Sequence, residues 1–288
     1  MPPIVDRPEY VREGELPASF GIAEQQLQIG VWLAHNSTAR KALILALLAL
    51  IWQVYGTWLG NSLLFPTFTN TVAAFFHGIA NGELLRRSFA SVRVLLQGYA
   101  AGLFLATALS LAAMSSAVGN DLLETLSAIM NPLPAIALLP LSLIWFGLGN
   151  GSIVFVVVHS VLWPVALTMH SGFRSISTTL RLVGQNYGLR GLPFLLRILM
   201  LAAFPSILAG LRIGWAFAWR TLIAAELVFG VSAGSGGLGW YIYENKNELQ
   251  ITNVFAGLFT VIIIGLIVEH LIFAPITRRT VRRWGMQI

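Results

Sequence analysis

Three charged residues stand inside one long apolar run of this 288-residue chain, between Leu201 and Gly230: Arg212, Arg220 and Glu226. A charge at mid-bilayer costs about 2.5–3.5 kcal/mol on insertion scales, so such residues face a protein interior, a water-filled path or a partner charge. At about 100° per residue, Arg212, Trp215, Trp219 and Glu226 fall within about 60° of one another, and Arg220 lies about 80° to the side of Arg212. A shared face of this type is a candidate lining for a translocation path or a contact between helices. Arg212 and Glu226 are about 21 Å apart along a helix, one toward each end. The competing reading is that Arg212 snorkels to one interface and Glu226 to the other.

Other chemistries find less support. The five histidines, His35, His77, His159, His170 and His270, show no metal-ligand spacing, and hydrogen-bonded packing is the expected role of His159 and His170. No G-x-S-x-G elbow is present. Gly234, Gly236 and Gly239 fit G-x-G-x-x-G, but they follow an apolar helix rather than a strand and read as a flexible outer loop. The only lysines, Lys41 and Lys246, do not follow glycine, so no Walker A loop exists here. There is no cysteine, which excludes disulfides and thiolate metal sites.

The elements that carry these residues belong in a membrane. The chain is 56% hydrophobic and 10% charged, against about 25% charged in soluble domains, and its mean hydropathy is +0.75. Six apolar stretches of spanning length occur, near 42–59, 88–115, 128–148, 152–170, 201–230 and 254–274. The third holds Pro132, Pro134 and Pro140 and is expected to be kinked or broken. Segment 60–87 is too polar to span and is expected to hold a short helix, and residues 22–33 suit a helix lying at the membrane surface. With six spans and both termini inside, twelve of the eighteen basic residues are cytoplasmic and three (Arg86, Arg87, Lys246) are outside. Basic residues flanking apolar runs account for the net charge of +6, which removes nucleic acid as the expected partner. The small-residue pairs Gly98/Gly102 and Gly210/Gly214 permit close helix approach, within one subunit or between two. The longest inside loop between spans, 172–200, carries four arginines, four glycines and no acid. The domain reading is a cytoplasmic tail with a surface helix (1–40), a six-span domain (41–275) containing loop 172–200, and a basic cytoplasmic tail (276–288).

Leu182-Val-Gly-Gln-Asn-Tyr-Gly-Leu-Arg-Gly191, Phe204-Pro-Ser-Ile-Leu-Ala-Gly-Leu-Arg-Ile-Gly-Trp215, Ala224-Ala-Glu-Leu227 and the run Asn131–Gly147 carry a family resemblance. Over residues 88–275 the chain resembles the permease subunits of bacterial ABC importers, in the branch handling nitrate, taurine and alkanesulfonates. That family's inside loop, E-A-A-x3-G-x9-I-x-L-P, docks on the ATPase subunit. Here Gly188 takes the glycine and Ile198 the isoleucine. Leu182, Val183 and Gly184 stand where E-A-A would be, and Met200 and Leu201 replace Leu-Pro.

The resemblance implies an all-α, six-span permease of the type I ABC importer kind in the bacterial inner membrane, forming a homodimer. Two ATP-binding subunits would sit inside and a substrate-binding protein outside, with ATP and Mg on the partner ATPase and no cofactor or catalytic residue in this chain. It implies ATPase coupling through Arg181, Leu182, Val183, Gly184, Tyr187, Gly188, Arg190 and Ile198, and a small anionic solute as cargo. The alternative from another class is an ion-coupled secondary carrier, for which Glu226 and Glu269 are the only intramembrane acids. An integral-membrane enzyme lacks any catalytic cluster.

Overall fold

The computed structural model describes residues 36–229, 236–283 and 285, and the chain divides into two compact units, residues 1–51 and 52–288. The expected surface helix at 22–33 and Gly234 lie outside the described residues. The first unit supplies most of helix α1 (Ser37–Leu59). Its leucines 43, 45, 47, 48 and 50 are exposed, the composition of a lipid-facing helix rather than of a soluble one.

In the second unit, Trp52 on the last turns of α1 donates its indole N–H to the Pro66 carbonyl (2.9 Å) and packs on Phe65, Phe68 and Phe255. Helix α2 (Phe68–Ala80) is the short helix expected in the outer segment, and Thr67 caps it by accepting from the Asn70 N–H. Glycine 82, at φ 77°, turns the chain into α3 (Glu83–Ser115). This helix starts five residues earlier than the apolar run, so Arg86 and Arg87 stand on its first turns.

The proline-rich third stretch is broken as its sequence demands. Helix α4 (Ala117–Met130) ends at Asn131-Pro-Leu-Pro134, and a 3₁₀ turn (Ala135–Leu138) leads into α5 (Leu139–Phe146). The two arms are bent by 87°. Prolines 132 and 134 cannot donate the N–H groups that would carry the helix through.

Helix α6 (Asn150–Arg174) lies between α3 and α9 (Phe204–Phe229) and makes the largest interfaces of the core with them. Both small-residue pairs serve this contact. Added Cβ atoms at Gly98 and Gly102 would fall 2.6 and 2.8 Å from Val157 and Val161, and one at Gly214 would fall 2.5 Å from Val165. The pairs therefore pack helices within the subunit. Ser110 bridges α3 and α6 by donating to the Ala166 carbonyl (3.1 Å).

Between α6 and α9 the segment 172–200 forms α7 (Thr178–Asn186) and α8 (Gly191–Phe194), which continues through a π turn at Leu195–Leu199. Further along come α10 (Leu238–Asn247) and α11 (Ile251–Val268), and α11 runs on through π turns to Arg282 instead of stopping near 275. Among the described residues five helices have spanning length and hydropathy, and the bent pair α4/α5 makes a sixth if its two arms count as one span. All-α architecture holds throughout them, with no strand.

Candidate functional site

Three places on this scaffold hold the residues with chemical capacity. In segment 172–200, Ser177 caps α7, and the helix closes with a left-handed Gly188 (φ 74°). The Gly188 N–H donates to the Gln185 carbonyl (2.9 Å) and the Leu189 N–H to the Gly184 carbonyl (3.1 Å), the paired bonds of a Schellman cap. A side chain at Gly188 would meet nothing within 4 Å, so φ alone selects glycine there. Glycine 184 serves a different need: a Cβ would fall 2.7 Å from the Phe194 ring and 3.1 Å from Ile198, so its bareness lets α7 lie on the α8 segment. The outward face is apolar without being covered. Leu182, Val183, Tyr187, Leu192 and Leu196 are all exposed, Tyr187 at 82%. Arg181 ties α7 to the core by donating to the Phe173 carbonyl (2.7 Å), and Arg190 and Arg197 stand exposed on the flanks.

The second place is α9, where the structure divides the five residues of the expected face. Arg212 pairs with Glu269, its Nε 2.9 Å from Oε2. Trp215 packs edge-on against Tyr99 (5.5 Å), whose hydroxyl donates to the Leu211 carbonyl. Trp219 is buried and donates to the Val261 carbonyl (3.2 Å). Glu226, 4% exposed, accepts from the Ser91 hydroxyl at 2.9 and 2.8 Å and from the Gly239 N–H at 2.9 Å, while the Leu238 N–H donates to Ser91 (2.8 Å). This face therefore binds α9 to α3, α10 and α11, and Glu226 does not snorkel to the interface. Beside it, Arg87 donates to Glu244 (2.7 Å) and to the Gly236 carbonyl (3.1 Å), clamping α3 to the start of α10. Burial and the nearby Glu83 carboxylate push the Tyr241 phenol up to about 12, so it stays neutral within this clamp.

Arg220, to the side of that face, opens on a cleft. The cleft has a volume of about 470 Å³ and lies where the broken span meets α6 and α9. Asn131, His159, Trp163, Arg220 and Thr221 line it together with the prolines of the break. The Arg220 guanidinium sits 4.8 Å from the Phe217 ring centre and spends its Nε on the Ala216 carbonyl (3.1 Å). Both ring nitrogens of His159 and the indole nitrogen of Trp163 are buried without a partner among the described residues. Among the described residues no cluster of three potential metal ligands occurs.

A family model described as "Binding-protein-dependent transport system inner membrane component" matches residues 98–281, more than half of the chain. The chain belongs to this family. Its match covers α6, segment 172–200, α9 and the cleft between them. The permease is 28% identical over 237 residues to the putative aliphatic sulfonates transport permease protein of Escherichia coli, covering 82% of this chain and 88% of the relative. It is 28% identical over 240 residues to the nitrate import permease protein of Synechocystis, covering 81% and 86%. With the taurine transport system permease protein of Escherichia coli it shares 31% identity over 193 residues, covering 67% and 68%. A binding-protein-dependent inner-membrane permease, multi-pass and all-α, is thus what the sequence motifs and the helices jointly describe.

Asn131, Trp163 and Thr221 join the permease's cleft without having been singled out in the sequence. Asn131 carried a signal, as an amide followed by two prolines inside an apolar run. Trp163 and Thr221 carried none, because only the bend of the third span brings their helices to one wall.

Proposed function

We propose that this permease forms a homodimer that imports a small anion by alternating access, with ATP hydrolysed by two separate cytoplasmic subunits. A soluble binding protein would deliver the solute from outside. The observation that carries the reading is the inside element Thr178–Leu199. It is a capped helix pair, tied to the core through Arg181 and presenting an uncovered apolar face with Leu182, Val183 and Tyr187. An apolar patch of this kind on an otherwise basic cytoplasmic loop fits a protein partner. Gly184 and Ile198 hold the pair together, Gly188 sets its angle and Arg190 flanks the docking face. Closure of the ATPase pair would move α7, and Arg181 would pass that motion to the end of α6.

The anion follows from the relatives named for sulfonate, nitrate and taurine transport, and from Arg220 as the charged residue of the cleft. Arg212, Trp215, Trp219 and Glu226 hold the helix that presents Arg220 to the path. Homodimerisation is supported by Arg93, exposed on a spanning helix with no carboxylate partner among the described residues. It would be costly against lipid, and a second copy would cover it.

The deciding experiment is to co-express the permease with ATP-binding and binding-protein subunits and purify the assembly. Stable association and ATP hydrolysis stimulated by the loaded binding protein are expected. A permease that moves solute down an ion gradient without any ATPase would overturn the reading in favour of the carrier.

The basic-residue split supports a cytoplasmic location for both termini and for residues 172–200. Single cysteines introduced at Gln185 and at Lys246, both exposed, should label from opposite sides. Labelling of the Gln185→Cys variant by an impermeant maleimide in intact cells would reverse the orientation.

A further inference from the structure

We propose that the cleft at the break of the third span is an intramembrane binding site for one small oxyanion, held by the Arg220 guanidinium with Asn131, Thr221 and Trp163 as neutral partners. The inference rests on the importer reading for the identity of its ligands, but the site itself is argued from four features of the fold.

The first is depth. At about 1.5 Å per residue, His159 lies about 14 Å from the Asn150 end of α6, and Arg220 about 14 Å from the Phe229 end of α9. The helices run antiparallel, with Gly210 against Thr168 and Gly214 against Val165. Both residues are thus near the middle of a hydrocarbon layer about 30 Å thick.

The second is the break. Non-helical backbone at membrane depth persists only where protein buries it or where it lines a water-filled cavity. The segment Asn131–Pro134 lies along the cleft, and Asn131 and Pro132 are exposed. The cleft is therefore the wet side of the bend, and a broken helix beside a cavity is an arrangement that transporters use to hold solute.

The third is charge. Arg220 is the single ionisable side chain of fixed charge on the lining, and no carboxylate lies there. The acids that could neutralise it are committed elsewhere: Glu226 to Ser91 and Gly239, Glu269 to Arg212. With Nε already bonded, the two terminal nitrogens remain for a ligand, a fork that matches two oxygens of a nitrate or sulfonate group.

The fourth is unmet hydrogen-bonding capacity. Trp163 is 8% exposed, and among the described residues neither its indole nitrogen nor either ring nitrogen of His159 has a partner, all three atoms being buried just behind the cleft surface. Buried polar groups are nearly always satisfied, so a turn of the Trp163 side chain that brings its N–H to the cleft would meet that need with a ligand that accepts.

The absence of cysteine allows a direct test. The probe position is Ala224, which lines the cleft one turn beyond Arg220 and contributes no polar group. The Ala224→Cys permease is reconstituted in lipid vesicles without ATPase or binding protein, and its rate of reaction with N-ethylmaleimide is measured. Nitrate and methanesulfonate are the anionic probes, taurine is a zwitterion presenting the same sulfonate group, and dimethyl sulfone is the neutral control.

At least one anion is expected to slow labelling in a saturable way while dimethyl sulfone does not. Adding Arg220→Gln should raise the half-protecting concentration roughly tenfold or more, the loss expected for a charge-assisted pair, and Arg220→Lys should keep most of the protection. Labelling that no anion slows, protection that survives Arg220→Gln, or a thiol that never reacts would each overturn the site. Because the readout needs neither partner, its failure is distinct from a failure of the permease to assemble with ATP-binding subunits.

Discussion

Replacing Gly188 by valine is expected to abolish stimulation of ATP hydrolysis by the loaded binding protein while leaving the permease inserted and folded. The reason is local. At φ 74° a β-branched residue meets its own backbone, at a cost of about 1–2 kcal/mol or more. No neighbouring atom lies within 4 Å of the added Cβ, so the penalty is conformational and does not come from a clash. The chain can escape it only by giving up the Schellman bonds from Gly188 and Leu189 to Gln185 and Gly184, which unhinges α7 from α8. The spans do not depend on that hinge, because their packing runs through α3, α6 and α9.

Asparagine tolerates the left-handed region far better than valine. Gly188→Asn should therefore keep most of the stimulation, and Gly188→Ala should fall between. Purified assemblies compared for subunit association and for stimulated ATP hydrolysis provide the measurement. Full stimulation in the valine variant would remove residues 175–200 as the coupling element.

Much of this arrangement was legible in the sequence because a few residue types determine it. Twenty-residue apolar runs can only be helices in lipid, and Pro132 and Pro134 had to break the third of them. The glycine of the docking pattern had to be left-handed if it ended a helix, and it is. What remained hidden depends on distant partners. The shared face of Arg212, Trp215, Trp219 and Glu226 was visible as an angle on a helix wheel. An angle does not say whether a face meets water or protein, and here it meets α3, α10 and α11. The glycines at the start of α10 read as a loose loop, yet Gly237 and Gly239 approach Glu226 so closely that a Cβ at either would collide with its side chain. Likewise the pairing of Arg87 with Glu244 spans 157 positions, and no local pattern announces it.

Glu226 carries the second large effect, and it is a structural one. Its carboxylate accepts from Ser91 on α3 and from Gly239 at the start of α10, and it sits on the last turns of α9, so one side chain joins three helices near their adjoining ends. Replacing it with leucine adds an apolar residue to an apolar span, which insertion favours. After insertion, the Ser91 hydroxyl and the Gly239 N–H are left buried without their acceptor. Each such loss costs about 1–3 kcal/mol, and the carboxylate's attraction for the positive N-terminus of α10 goes with them. The Glu226→Leu permease should therefore reach the membrane in normal amount, melt at lower temperature in detergent, and lose uptake because α10 comes away from α9. Glutamine retains one acceptor oxygen for the Gly239 N–H but offers no second oxygen to Ser91, so Glu226→Gln should lose less. Ser91→Ala removes the same Ser91–Glu226 bond and also the acceptor of the Leu238 N–H, so on top of Glu226→Leu it should cost only that second bond. A cysteine placed at Tyr241, which is 3% exposed, reports on α10 directly. It should be unreactive in the otherwise unaltered chain and should label readily once Glu226 is leucine. If Glu226→Leu melts unchanged and the thiol at 241 stays protected, the adjoining ends of α3, α9 and α10 are held by Arg87 and Glu244, and Glu226 contributes nothing measurable to the join.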